Sequence, residues 1–289
     1  MGGRGAPMSE TMRQAQQLTR DGKLDEALAI YEKEKANNQA GSLLDLMGKG
    51  ADARKYFQKA IDAAPDPLAK ANAQRAMAMS YAFEGDCRNT VKYEQMAIAH
   101  WATREQAEPQ TAFFQQGELA NEAARVCIDS GDLENAATWY RKGAAMGLKE
   151  PGNQTHPASL WNFRLEHALA RIAARKGGKA EARKHVDAAK AILDGDPKMA
   201  EQQARFFPYL TGYVALYTGD AKQALVDFQQ AIAMPGNTAD PFYQCLLGMT
   251  YEKLGEKEKA MECYRKASAT TAHNPPAAFA KPFTRKKLG

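Results

Sequence analysis

The sequence predicts an all-α protein, an α-α superhelix of about seven helix–turn–helix units followed by an irregular C-terminal tail. Three observations carry this. Ala, Gln, Glu, Lys and Arg fill long stretches while β-branched residues are scarce, which favours helix over sheet. Seven glycines are each followed, five positions on, by a small residue. In five of those seven stretches an aromatic residue comes four positions after the small one.

The repeating stretches are DGKLDEALAIYEK, MGKGADARKYFQKAIDAAP, EGDCRNTVKYEQMAIA, SGDLENAATWYRKGAA, KGGKAEARKHVDAAKA, TGDAKQALVDFQQAIAMP and LGEKEKAMECYRKASA. The Gly/small pairs are Gly22/Ala27, Gly48/Ala53, Gly85/Thr90, Gly131/Ala136, Gly177/Ala182, Gly219/Ala224 and Gly255/Ala260. The aromatics are Tyr31, Phe57, Tyr140, Phe228 and Tyr264, and the exceptions are Glu94 and Val186. Three positions further, six stretches carry another small residue: Ala60, Ala97, Gly143, Ala189, Ala231 and Ala267.

Each part has a physical reason. A glycine can take the left-handed conformation that ends one helix tightly. The charged residue after it opens the next helix. The small residue sits where two antiparallel helices cross, and the aromatic, one turn on, fills the space to the neighbouring helices. Apolar stretches ahead of the turns supply the first helices: Met77 to Phe83, Leu119 to Ile128, Leu160 to Ala174, Leu210 to Tyr217 and Phe242 to Leu254.

This Gly–small–aromatic–small order resembles the tetratricopeptide repeat (TPR), over about residues 8–270. The resemblance implies a TPR-like solenoid and a protein-binding scaffold rather than an enzyme. The distances between the small residues are 26, 37, 46, 46, 42 and 36, against a family period of about 34. The second unit therefore has a short first helix, around Ser42 to Met47, and the middle units are lengthened, so the superhelix is expected to be irregular. The wording of the repeats is bacterial in style.

Residues 1–7, MGGRGAP, read as a cloning remnant ahead of a repeat domain at 8–270. With no apolar signal core there, bacterial cytoplasm and export with a trimmed signal both stay open. Residues 271–289 form a Pro-rich, basic cap or tail. Pro275, Pro276 and Pro282 are expected to forbid a regular helix in it, leaving an extended cap held by Phe279 and Phe283 or a loose end.

The net charge is +5, but Lys281, Arg285, Lys286 and Lys287 supply four of those charges within the last nine residues. The rest of the chain is near neutral, so no broad phosphate-binding patch and no nucleic-acid partner are expected. No apolar run approaches the ~20 residues of a membrane-spanning helix.

The residues offer little chemistry. None of Cys87, Cys127, Cys245 and Cys263 sits in a CxxC or metal-type spacing, and none of the five histidines forms a nucleophile motif with them. Cys127 reads as a buried small hydrophobe and Cys87 as a free, partly exposed thiol. Cys245 and Cys263 lie at similar heights in the last unit, so a bridge between them is one open arrangement. His167 and His185 stand in the equivalent places of the fifth unit, without the close carboxylate that a zinc site requires. No metal and no cofactor are expected. Asn153–Gln154–Thr155 matches a glycosylation sequon, which matters only in a eukaryotic secreted protein.

In TPR proteins one face of each first helix lines the concave side. Projected on this chain, that face offers Glu118, Asn121, Arg125 and Asp129 in the fourth unit. The fifth offers Arg164, His167, Arg171 and Arg175, and the sixth Phe206, Tyr209, Tyr213 and Tyr217. Residues three to four apart share one helix face. The expected partner site is thus Asn121, Arg125, Arg164, His167, Arg171, Arg175, Tyr209, Tyr213 and Tyr217. Arginines can hold carboxylates with paired hydrogen bonds, and tyrosines supply contact area with a polar tip. An extended acidic and apolar peptide, or a chain end with a free carboxylate, fits that combination. Asn121 and Arg125 resemble the carboxylate-clamp members of the family, although the matching residues in neighbouring units agree only loosely. Two alternatives remain: a self-associating assembly subunit whose groove is empty or filled by its own C-terminal segment, and the repeat region of a larger bacterial enzyme.

Overall fold

The computed structural model describes residues 9–152 and 156–289, so residues 1–7, expected to be a remnant, and the sequon at 153–155 fall outside the described residues. Seven antiparallel helix pairs follow one another. They are α1 (Glu10–Arg20) with α2 (Leu24–Lys33), α3 (Asn37–Leu46) with α4 (Gly50–Asp62), α5 (Pro67–Ala82) with α6 (Cys87–Ala102), and α7 (Pro109–Ser130) with α8 (Leu133–Gly147). Next come α9 (Ala158–Arg175) with α10 (Lys179–Gly195), α12 (Phe207–Tyr217) with α13 (Ala221–Ala233), and α14 (Pro241–Lys253) with α15 (Lys257–Ser268). A short helix, α11 (Pro197–Gln203), is inserted before the sixth pair, and α16 (Pro275–Leu288) ends the chain. No strand occurs among the described residues.

The turns form for the reason the pattern implies. All seven turn glycines have positive φ, from 69° at Gly85 to 94° at Gly219, where a Cβ would be strained. After three of them an aspartate caps the next helix: the side chains of Asp86, Asp132 and Asp220 accept from the amides of Asn89, Asn135 and Gln223.

Burial explains the rest of the repeat. The small residue of every turn is buried, as are Tyr31, Phe57, Tyr140, Phe228 and Tyr264. Sixteen positions before each of the seven aromatic-type positions stands Ala or Gly: Ala15, Gly41, Ala78, Ala124, Ala170, Gly212 and Gly248. At the glycines the ring lies where a side chain would be. A Cβ on Gly41 would come 2.8 Å from the Phe57 ring, one on Gly212 2.9 Å from Phe228, and one on Gly248 2.4 Å from Tyr264. The aromatic of each second helix thus presses on the first helix of its own pair. Two pairs depart from this rule: the fifth has Val186 there, and the third has Glu94, which is fully buried with both carboxylate oxygens unpartnered.

The unequal spacing has visible causes. Helix α3 is only 10 residues long, whereas α7 has 22 and α9 has 18. Between the fifth and sixth pairs the extra residues form α11, started by Pro197 and capped by Asp196.

Two expectations are corrected. The C-terminal segment is a regular helix, because Pro275 and Pro276 stand in its first turn, where no intrahelical donor is required. Asn274 caps it by accepting from the Ala277 amide, and only Pro282 interrupts its interior. Helix α16 packs against α14 and α15 and also reaches across to α5 and α7. The cysteines are also paired differently. Cys87 and Cys127 form a disulfide with Cα atoms 4.8 Å apart, while Cys245 and Cys263 are buried free thiols. Antiparallel packing accounts for this, since Cys87 opens α6 beside the end of α7, where Cys127 lies.

Candidate functional site

Helices α7, α9 and α12 bring the predicted site residues together, though not all on one accessible surface. On α9, Arg171 is only 5% exposed. Its guanidinium donates to the Tyr209 hydroxyl and to the Tyr140 hydroxyl, each at 2.9 Å, and its Nε donates to the His167 carbonyl at 3.4 Å. The rings of Tyr140, Tyr209 and Tyr213 stand around it at 5.6, 5.6 and 5.9 Å. One turn along α9, Arg175 donates to the Tyr213 hydroxyl at 3.3 Å and lies 5.0 Å over the Tyr217 ring. Arg164, at the other end, pairs with Glu118 of α7 and covers Trp161.

Arg125 of α7 places its guanidinium 4.7 Å over the ring of Phe242, and its Nε is buried without an acceptor. Among the described residues neither Arg125 nor Arg171 forms an ion pair with a carboxylate. Asp129, one turn beyond Arg125, interacts with both and with Arg175 at longer range. Burial nonetheless pushes its carboxyl up to about 6 against the pull of the three arginines.

Between α7, α9 and the start of α16 lies a cavity of about 400 Å³. Asn121, Arg125, Arg164, His167 and Arg171 line it, with Tyr140 and Phe163 beneath and Asn274, Pro275 and Pro276 as a wall. His167 is buried, and its Nε2 lies 3.3 Å from the Phe206 carbonyl. Desolvation, with Arg171 beside it, holds its pKa well below the usual histidine range, so it lines the cavity as a neutral ring.

The tyrosine set divides. Tyr209 and Tyr213 are core residues, 6% and 1% exposed, in a large apolar cluster with Tyr140, Phe228 and Phe242. They hold the arginines in place from behind and are not exposed, which corrects the expected three-tyrosine surface. Only Tyr217 keeps an exposed edge. The projection failed here because α12, at 11 residues, is buried on both sides, so a groove face and a packing face cannot be told apart from spacing.

Sequence reasoning also missed two contributors. Tyr140, read as a repeat aromatic, spends its hydroxyl on Arg171. The turn Asn274–Pro276 closes the cavity from 150 residues further along the chain than Arg125, and nothing local in the sequence marks that contact.

The tetratricopeptide-repeat family model matches residues 34–67 and 243–269, that is, α3–α4 with their flanks and the α14–α15 pair. The chain carries tetratricopeptide repeats at both of these places. The same positive-φ glycine turn recurs in all the pairs between, and the buried aromatic recurs in two of them, as Tyr140 and Phe228. Among curated proteins none matches this repeat protein. Among solved structures it is similar to a tetratricopeptide repeat protein from Parabacteroides merdae, with 16% identity over 96% of this chain and 98% of that one, at a TM-score of 0.42. It is also similar to the TPR domain of P58(IPK), with 13% identity over 96% of this chain and 88% of that one, at a TM-score of 0.35. No described helix is long and apolar enough to cross a membrane.

Proposed function

We infer that this chain is a protein-interaction scaffold whose concave side, where α7 and α9 adjoin, takes a peptide segment bearing an acidic group. The observation that supports it is the pair Arg125 and Arg171. Both border the cavity, and among the described residues neither forms an ion pair with a carboxylate, Asp129 acting on both only at longer range. A buried cation is normally paired, and a carboxylate brought by a partner would supply the missing charge. Asn121, beside them, offers an amide for a second hydrogen bond. His167, Arg171, Tyr209 and Tyr213 would fix the geometry from beneath, while Arg164, Arg175 and Tyr217 would meet the peptide as it leaves the cavity.

The test uses Arg125, because Arg171 is held by two phenols and its removal would disturb the core. In Arg125→Met the stem still packs on Phe242 while the charge is gone. Fluorescence anisotropy should be read with short labelled peptides ending in two acidic residues, in free-acid and amidated forms. The free-acid or acidic-side-chain forms should lose at least tenfold in affinity for Arg125→Met, with the melting temperature little changed. Equal binding of acidic and neutral peptides, or no loss in the variant, removes the reading.

A further inference from the structure

Helix α16 packs on α14 and α15 of the last pair and reaches across to α5 and α7, with polar contacts to the second pair. Ala277 and Ala278 pack in a cluster with Met79, Ala82 and Phe83 at the end of α5 and with Val126 of α7. On the adjacent face, Phe279 meets Phe242 of α14 edge-on at 4.9 Å, and Phe283 meets Tyr264 of α15 at 5.5 Å. Phe279 and Phe283 stack on each other at 5.2 Å. The segment is pinned by polar contacts at its ends. His273 Nε2 lies 2.8 Å from Asp45 Oδ2, and Arg285 donates to the Leu46 carbonyl at 3.3 Å.

Three features weaken the hold on this helix. Pro282 removes an amide donor from the helix interior, so α16 is a poor helix on its own. The face turned to α5 and α7 consists of alanines, which bury little area. The seat is also incompletely filled: besides the 400 Å³ cavity, cavities of about 180 and 350 Å³ are lined by Phe279, Pro282 and Phe283, and by His273, Asn274 and Pro275. Atoms that line a cavity lose the contacts that a filled site would give, and segments with fewer buried contacts open first.

We propose that α16 is a built-in, displaceable occupant of the concave face, and that the seat it leaves fits a partner helix with the same pattern: two aromatic residues four apart, beside small residues, with a basic end. This rests on the concave face being the binding surface. Displacement would bare the ring of Phe242, on which Arg125 rests, and would remove the Asn274–Pro276 wall of the cavity. A partner would then gain the aromatic seat and the arginine pocket together.

The test keeps the full chain. Hydrogen exchange with mass-spectrometric readout should show the amides of α16 exchanging at least tenfold faster than those of α14, in the parent chain and in His273→Ala alike. A labelled peptide of residues 272–289 should bind Phe279→Ala/Phe283→Ala protein at least tenfold more tightly than the parent chain, because the internal competitor is weakened. Exchange of α16 only together with α5 and α14, in both the parent and His273→Ala, overturns the proposal. So does equal peptide affinity for a folded double variant and the parent. If the double variant does not fold, the exchange data decide alone. Neither readout involves an acidic peptide, so failure of the arginine pocket and failure of the displaceable helix are told apart.

Discussion

His273 and Asp45, 228 residues apart in sequence, meet at 2.8 Å in a nearly closed pocket. The Asp45 side chain has no exposed area, and its other oxygen accepts from the Ser80 hydroxyl at 2.8 Å. The imidazole stacks on Phe83 at 5.1 Å. Burial raises the Asp45 carboxyl above its ordinary value, against the pull of His273 and Ser80. Replacing His273 with Ala leaves a buried carboxylate with a single partner and should cost about 3 kcal/mol. Asp45→Asn, which keeps shape and hydrogen-bonding capacity, should cost about 1 kcal/mol. Urea midpoints with unchanged slopes would check both.

Glu94 gives the clearest pH signature. It occupies an aromatic position, is fully buried, and has no hydrogen-bond partner for either oxygen. Desolvation, reinforced by Glu122, raises its pKa well above the ordinary 4.5. A carboxyl raised in the folded state leaves stability intact below 4.5 and removes it as pH climbs through the folded value. Glu94→Met should therefore stabilise the protein at pH 8 more than at pH 4.5. At about 2–4 °C of melting temperature per kcal/mol, the difference is measurable by thermal scans at the two pH values.

Glycines predict opposite signs by location. Gly248→Ala forces a methyl against Tyr264, where the gap is 2.4 Å, and should destabilise by about 1–3 kcal/mol. Gly195, the last residue of α10, has nothing within 4 Å of a new Cβ. Gly195→Ala should stabilise by about 0.5–1 kcal/mol, chiefly through the unfolded chain. Denaturant curves on the two variants would show the contrast.

The disulfide is testable by counting thiols. The folded chain should show no fast-reacting thiol, because Cys245 and Cys263 are buried and burial raises both pKa values. Unfolding without reductant should release two thiols, and unfolding with reductant four. The Cys87→Ser/Cys127→Ser variant should lose about 2–4 kcal/mol.

Much of the fold was legible in the sequence because its rules are local. Gly131 and Ala136 sit on one turn and its following helix, and a spacing of five residues records both the left-handed turn and the crossing. The companion rule, a small residue sixteen positions before each aromatic, was present as well in pairs such as Gly212 and Phe228. What spacing cannot carry is which side of a first helix meets its neighbours. Arg125 and Tyr213 occupy equivalent projected positions, yet one borders a cavity and the other is 1% exposed. The fate of residues 271–289 was equally out of reach, because α16 owes its helix to a seat assembled from α5, α7, α14 and α15 and not to its own propensity.

The contact between His273 and Asp45 also bears on how such an array can change over generations. An open stack gains or loses a unit at little cost, since each unit touches only its neighbours. Here the last segment must arrive at a fixed point on the second unit. The rotations contributed by the units between them therefore have to add up to one closed circuit. Duplicating or deleting any unit from the third to the seventh would carry His273 away from Asp45 and Arg285 away from Leu46. The irregular lengths of α7, α9 and α11 then read as adjustments to a closing condition, and repeat number becomes a fixed property of this molecule.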